Sequence, residues 1–98
     1  MSQFYMVEFD LPEVLNPKFL SKIPQQRSKI DELMALGKVR SYSLSEDRSR
    51  LWMIVVAETE EDVVDILEEM PLNKMMSNHI IPLMFHFSNE NVMAMSLN

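Results

Sequence analysis

The chain contains no cysteine and only one glycine, Gly37, and these shortages exclude several classes of function. Without cysteine there is no disulfide framework, no thiolate nucleophile and no Cys-ligated zinc or iron–sulfur site. One glycine is too few for a phosphate-binding loop or a dinucleotide fingerprint, because both need several. Basic residues are also scarce: 9 Lys and Arg stand against 15 Asp and Glu, so the net charge is −6. That balance argues against nucleic acid and anionic membranes as partners.

Long hydrophobic runs are absent as well. The longest uncharged stretch, residues 75–89, is too short to span a bilayer and is interrupted by polar residues and Pro82. The first twelve residues already carry Glu8 and Asp10, which a secretory signal does not. We therefore expect a soluble, cytoplasmic protein. The 98 residues fit one domain, and a domain this small buries only about two-thirds of its surface, so oligomerisation would add stability.

Aromatic and β-branched residues are concentrated in four segments, which we predict to be strands: residues 3–9, 38–45, 51–57 and 79–87. Two helical segments separate them, so the element order is βαββαβ. This order predicts an α+β domain of the ferredoxin-like kind, with a four-stranded antiparallel sheet and both helices on one face. Pro82 lacks a backbone N–H, so the last strand is expected at a sheet edge or to contain a bulge.

Both helices have recognisable start signals. Asn16-Pro17 provides an N-cap and a first helical residue, and Gly37 is the natural residue after the helix end. The stripe between them is apolar except for Arg27, and Pro24 predicts a kink or break within it. Thr59 caps the second helix, with three acidic residues in its first turn, where the helix dipole favours them.

Strand alternation predicts which side chains share a face. In the second strand it places Arg40, Tyr42 and Leu44 on one face and Val39, Ser41 and Ser43 on the other. The sheet also has a face without helices, which the first and third strands would cover with apolar residues: Phe4 and Met6, or Trp52, Ile54 and Val56. Such a face is too apolar to leave in water, so we expect at least a dimer, packed sheet to sheet.

Few residues have the chemistry of a catalytic group. Glu8 lies within an apolar strand, where it either transfers a proton or simply reaches solvent or pairs with Arg40 or another base on a neighbouring strand. His86 is either an acid/base group or a half-exposed residue at a strand end. It would lie seven residues from His79 on one strand, roughly 23 Å away and on the opposite face, so the two could not share a metal. Arg40 is either an anion-binding group or half of a surface pair.

The remaining candidates admit a structural and a functional interpretation. Tyr42 and Trp52 could line an aromatic pocket or pack in the core. The 10 Met residues suggest adaptable packing more than a Cu(I) site. No metal site and no cofactor site is predicted.

With these residues in view, the sequence resembles the muconolactone δ-isomerase family of the dimeric α/β-barrel superfamily, over roughly Phe4 to His86. The resemblance is carried by the following residues: Phe9-Asp10-Leu11-Pro12, Gly37, Arg40, Met70-Pro71-Leu72, Met76 and His86. It implies a cofactor-free proton shift within an unsaturated lactone, a step of aromatic catabolism, carried out by a homo-oligomer. Such chemistry needs a base, an acid and a donor for the enolate oxygen.

The resemblance also implies an acid/base pair of Lys and Glu on the first helix, facing the pocket. This chain has Ile23 and Gln26 at those positions, and neither transfers a proton at neutral pH. We therefore expect a pocket between the sheet and the first helix that binds a small lactone or carbonyl compound, with Glu8 or His86 as the catalytic group. The residues expected to bind the substrate are Gln26, Arg40, Ser41, Tyr42 and Trp52.

Two other functions stay open: a non-catalytic ligand-binding or assembly module, and a cofactor-free monooxygenase of the same superfamily. The predicted domain covers residues 1–88. The tail, residues 89–98, contains Val92, Met93, Met95 and Leu97, which we expect to dock, on a neighbouring protomer.

Overall fold

The four strands form one antiparallel sheet in the order β2-β3-β1-β4. This is seen in a computed structural model that describes residues 2–89. The strands are β1 Gln3–Asp10, β2 Val39–Leu44, β3 Arg50–Ala57 and β4 Ser77–Pro82. β1 lies at the centre, paired antiparallel with β3 on one side and β4 on the other. The predicted α+β class and ferredoxin-like strand arrangement are confirmed.

The helices are α1 Pro17–Ser21, α2 Ile23–Ala35 and α3 Glu60–Glu68, followed by a 3-10 turn at Asn73–Met75. The Asn16 side chain accepts a 2.8 Å hydrogen bond from the Phe19 N–H, so the predicted N-cap is confirmed. The break between α1 and α2 falls at Lys22, as expected from Pro24, which cannot donate to a carbonyl one turn back. Thr59 caps α3 by accepting from the Asp62 N–H at 3.1 Å.

Gly37 ends α2 in the left-handed conformation, with φ of 77°. Its N–H donates to the Met34 carbonyl at 3.0 Å, and the Lys38 N–H donates to the Leu33 carbonyl at 2.9 Å. This pair of bonds is the Schellman motif, which satisfies the last carbonyls of the helix. The motif turns the chain directly into β2.

The core lies between the helices and one face of the sheet. Tyr5, Val7 and Phe9 alternate along β1 as its buried residues, opposite Val55, Met53 and Leu51 of β3. α2 contributes Ile30 and Leu33, and α3 contributes residues of its apolar stripe: Val63, Ile66 and Leu67. The apolar residues of β1, which recur every second position, therefore pack in one core against those of the helices, which recur every three to four positions.

The other face of the sheet is covered by none of the helices within residues 2–89, and we call it the open face. The register places the apolar residues of β1 and β3 on it together: Phe4, Met6, Trp52, Ile54 and Val56. All five are buried or half-buried. The expectation that these residues share a face without helices is thus confirmed.

The prediction for the last strand was too long. β4 ends at Pro82, which pairs with Tyr5, and the Leu83 N–H makes a last bond to the Phe4 carbonyl at 2.9 Å. β4 is an edge strand, as Pro82 suggested. The expected geometry of the two histidines is therefore wrong. His79 pairs with Glu8 on the open face, and the His86 ring packs on Phe4 of that same face.

The predicted faces of β2 also need correction. Val39 pairs with Val55 but Ser41 pairs with Ile54, so Arg40 is an extra residue in a β-bulge. After the bulge the alternation is inverted. Val39 lies on the helix-covered face together with Tyr42 and Leu44, whereas Ser41 and Ser43 lie on the open face. A bulge moves residues from one face to the other in this way because the side-chain period is two.

Within residues 2–89, every helix is too short or too polar to cross a bilayer. The expectation that Val92, Met93, Met95 and Leu97 dock on a neighbour concerns residues outside the described range.

Candidate functional site

A cavity of about 530 Å³ opens between α1, α2 and the β2–β3 end of the sheet. Its walls are mainly apolar and come from elements far apart in sequence, with these residues among them: Leu15, Phe19, Ile23, Ile30, Leu51 and Met76. Leu20, Tyr42 and Leu44 form its exposed edge, each with 39% to 50% of its surface accessible. A concave, mostly apolar space with few polar groups is the usual form of a small-molecule site.

Gln26 is the buried polar group of this cavity, with 6% of its surface exposed. Its Oε1 accepts a 3.0 Å hydrogen bond from the Leu72 N–H, 46 residues away. Because that partner is a donor, the oxygen must be the atom facing it, which fixes the orientation of the amide. The Nε2 group makes no hydrogen bond within residues 2–89 and leaves two donors for a ligand.

Two arginines complete the polar lining, Arg27 on α2 and Arg48 in the β2–β3 turn. Neither forms an ion pair within the described part of the chain. Among residues 2–89, no Asp, Glu or His lines the cavity. The cavity thus presents positive charge at its edge without a carboxylate of its own.

The turn that carries Arg48 is organised by Asp47. The Asp47 Oδ1 accepts from the Ser45 and Ser49 hydroxyls, each at 2.7 Å, and from the Ser49 N–H at 3.0 Å. These bonds, first of all the one from the Ser49 hydroxyl, lower the pKa of Asp47 to about 2. Arg48 adopts a left-handed φ of 63° in this turn, a strained conformation for a residue with a side chain.

Glu8 lies on the open face. Its Oε2 accepts a 2.9 Å hydrogen bond from the Trp52 Nε1, and its Oε1 lies 3.8 Å from Arg50 Nη1. The basic partner of Glu8 is therefore Arg50 on the neighbouring strand β3 and not Arg40, which agrees with the second of the two pairings expected from the sequence. Arg40 instead places its guanidinium carbon 5.8 Å from the centre of the Phe4 ring, a cation–π contact.

His86 also contacts Phe4, with ring centres 5.5 Å apart. Its Nε2 is buried and has no hydrogen-bond partner within residues 2–89. A buried polar nitrogen without a partner is costly, so it marks a place where a further group would be stabilising.

The predicted site residues consequently divide into two groups, with the sheet between them. Gln26 and Tyr42 line the cavity. The other five lie on or against the open face: Glu8, Arg40, Ser41, Trp52 and His86. Two contributors were missed. Arg27 gave a signal, as a charged residue within an apolar stripe, whereas nothing in the pattern around Arg48 distinguished it from any turn residue.

The comparisons with known proteins bear on this geometry. The family model for muconolactone delta-isomerase matches residues 4–89. The chain belongs to the muconolactone delta-isomerase family. Among curated proteins, no relative matches the chain.

Two residues of the cavity are of interest because of the family to which the chain belongs. The resemblance set the family's acid/base pair at the positions of Ile23 and Gln26, and both of these residues line the cavity. In this muconolactone delta-isomerase family member, these two cavity-lining positions of α2 thus hold an aliphatic side chain and an amide. Residues 2–89 contain no group of three or more His, Asp or Glu side chains placed to hold a metal.

Proposed function

We propose that this member of the muconolactone delta-isomerase family binds a small lactone or carbonyl compound in the cavity between the sheet and the first two helices. The observation that carries the proposal is the Gln26 amide nitrogen, which makes no hydrogen bond within residues 2–89 and lies in an apolar space. Its two donors suit a carbonyl oxygen, and the surrounding aliphatic and aromatic walls suit a small ring.

Proton transfer in this cavity is not supported by its lining. A proton shift needs a base and an acid within hydrogen-bond reach of the substrate. The lining offers neither a carboxylate nor an imidazole, and the side chains at the family's acid/base positions are Ile23 and Gln26. We therefore favour binding without isomerisation at this site.

A second candidate function is cofactor-free isomerisation at the open face. It is supported by the buried Nε2 of His86, which has no hydrogen-bond partner among residues 2–89, and by Glu8, held by Trp52 on the same face. In this version Glu8 or His86 moves the proton, and Arg40 or Ser41 stabilises the oxyanion. Such a site would need a second copy to cover it, because the open face alone is a surface.

Self-association follows from the same face. Four of its five apolar residues are only half-buried within one chain, and two copies packed sheet to sheet would bury them as in a dimeric α/β barrel. We propose a homodimer or larger homo-oligomer.

One set of measurements separates binding from catalysis. Muconolactone is added to the purified protein, and turnover is followed by ultraviolet absorbance while binding is followed by calorimetry. We expect binding that weakens in Gln26→Met and persists in Gln25→Met, the matched change at the exposed neighbouring glutamine. Binding that is equal in both variants would contradict a ligand site at Gln26.

Turnover by the wild type that disappears in Glu8→Gln would instead establish the open-face isomerase. A third variant, Ile23→Lys with Gln26→Glu, restores the residue types of the family's acid/base pair. If the cavity is the family's pocket, this double variant should gain turnover that the wild type lacks. A folded double variant that binds the lactone without turnover would show that other parts of the pocket have also changed.

A further inference from the structure

The charge around the cavity is unlike that of the protein as a whole. The chain has a net charge of −6, yet the cavity is lined by two arginines and no acidic residue. Lys29 and Arg50, elsewhere on the surface, lie within 4.0 Å of carboxylates, whereas Arg27 and Arg48 have none that close within residues 2–89. An anion entering the cavity would therefore meet two guanidinium groups that are not already engaged.

The two arginines come from rigid parts of the fold. Arg27 lies within α2, directly after Gln26, whose side chain joins this helix to the Leu72 N–H. Arg48 has a left-handed backbone conformation, and the hydrogen bonds from Ser49 to Asp47 on either side of it stabilise the turn. Strained residues of this kind often belong to functional sites.

The cavity is also larger than the family's lactone requires. A volume of about 530 Å³ equals roughly 18 water molecules at ~30 Å³ each. Muconolactone has about ten non-hydrogen atoms, each occupying less than a water's share of the liquid. The remaining space is bounded by aliphatic and aromatic side chains, so it suits additional hydrocarbon rather than additional polar groups.

We propose that the preferred ligand is an amphiphilic carboxylate with a larger apolar body than muconolactone. Its body fills the cavity, its carboxylate is bound between Arg27 and Arg48 at the opening, and the Gln26 amide donates to any carbonyl oxygen on the body. This inference rests on the proposed function in one respect, namely that the cavity is the ligand site.

Decanoate serves as the probe, with hexanoate and the uncharged decan-1-ol as comparisons. Calorimetry on the full chain should show decanoate binding more tightly than either. Arg27→Gln and Arg48→Gln should each weaken decanoate binding about three- to tenfold, the range of a solvent-accessible charged contact, and leave decan-1-ol unchanged. Arg48→Gly, which accepts the positive φ without strain, should behave as Arg48→Gln does. Arg50→Gln removes a charge remote from the cavity and should have no effect on decanoate.

The place of binding is checked by amide NMR. Decanoate should shift the Leu72 N–H signal, which reports on Gln26, and leave the Trp52 indole signal of the open face in place. Equal binding of decanoate and decan-1-ol, or arginine variants with unchanged affinity, would overturn the inference while leaving a ligand cavity intact. If muconolactone, decanoate and decan-1-ol all fail to bind, both the inference and the proposed function are refuted.

Discussion

Replacing Gln26 with Leu tests the hydrogen bond that joins α2 to the segment after α3. The change removes the only side-chain acceptor that the structure gives to the Leu72 N–H, at 3.0 Å. Leu72 itself is 4% exposed, so water has little access to that donor. The expected result is a lower free energy of unfolding, because a buried N–H would be left without a partner.

The size of the effect follows from two opposing contributions. An unsatisfied buried donor costs about 1–3 kcal/mol. Leu is more apolar than Gln, and its burial among the cavity's aliphatic walls offsets up to ~1 kcal/mol of this. We expect a net loss of about 1–2 kcal/mol, which corresponds to a fall in Tm of roughly 4–15 °C for a domain of this size.

The assay is urea unfolding followed by circular dichroism, at one fixed protein concentration because an oligomer's stability depends on it. Gln25→Leu is the matched control, since Gln25 is the exposed neighbour and makes no side-chain hydrogen bond within residues 2–89. Gln26→Glu keeps an acceptor oxygen and should lose less than Gln26→Leu. Equal midpoints for Gln26→Leu and Gln25→Leu would refute the assigned role of the Leu72 hydrogen bond.

Three further predictions concern the turn, the helix end and the tail. The Asp47 carboxyl should titrate near its pKa of about 2, and Ser49→Ala should bring the midpoint toward the ordinary 3.8, measured by carboxyl-carbon NMR. Because the folded-state pKa of Asp47 is lowered, any stability from these bonds is present above pH ~4 and is lost as the pH falls toward 2. A titration midpoint near 3.8 for Asp47 in the wild type would contradict the hydrogen bonds assigned to it. The added methyl group of Gly37→Ala would meet no heavy atom within 4 Å in residues 2–89 apart from its chain neighbours, so its cost should be the conformational ~1–2 kcal/mol alone. Gly37→Asn should cost less in urea unfolding, and equal costs would refute this. Deleting residues 89–98 should lower the mass seen by light scattering or the Tm, and an unchanged mass and Tm would remove the idea that the tail docks.

The fold was predictable because its local signals agree with one another. Asn16, Pro24, Gly37 and Thr59 each specify a helix boundary through their own backbone or side-chain chemistry, and the structure bears out all four. These signals act within a few residues and need no knowledge of tertiary contacts.

The candidate site was less predictable, because it depends on which face of the sheet a side chain occupies. Glu8 and Tyr42 were both plausible in a pocket by residue type, but only Tyr42 lines the cavity. Tyr42 lies on the cavity side because of the bulge at Arg40, and no turn residue or proline in the sequence predicts that bulge. The end of β4 was missed for a related reason: the apolar pattern continues to Phe87, while the paired backbone ends at Pro82.

The same bulge has a consequence for how the family can diversify. If β2 instead ran without the bulge from Val39, Arg40 would oppose Ile54 and Ser41 would oppose Met53, so Ser41 and Ser43 would exchange faces with Tyr42 and Leu44. The cavity would then be lined there by two serine hydroxyls in place of a phenol and an isobutyl group, while α2 and its Gln26 stayed where they are. A one-residue shift in the register of β2, without any point substitution in the pocket, is thus enough to change one wall of the cavity from apolar to polar.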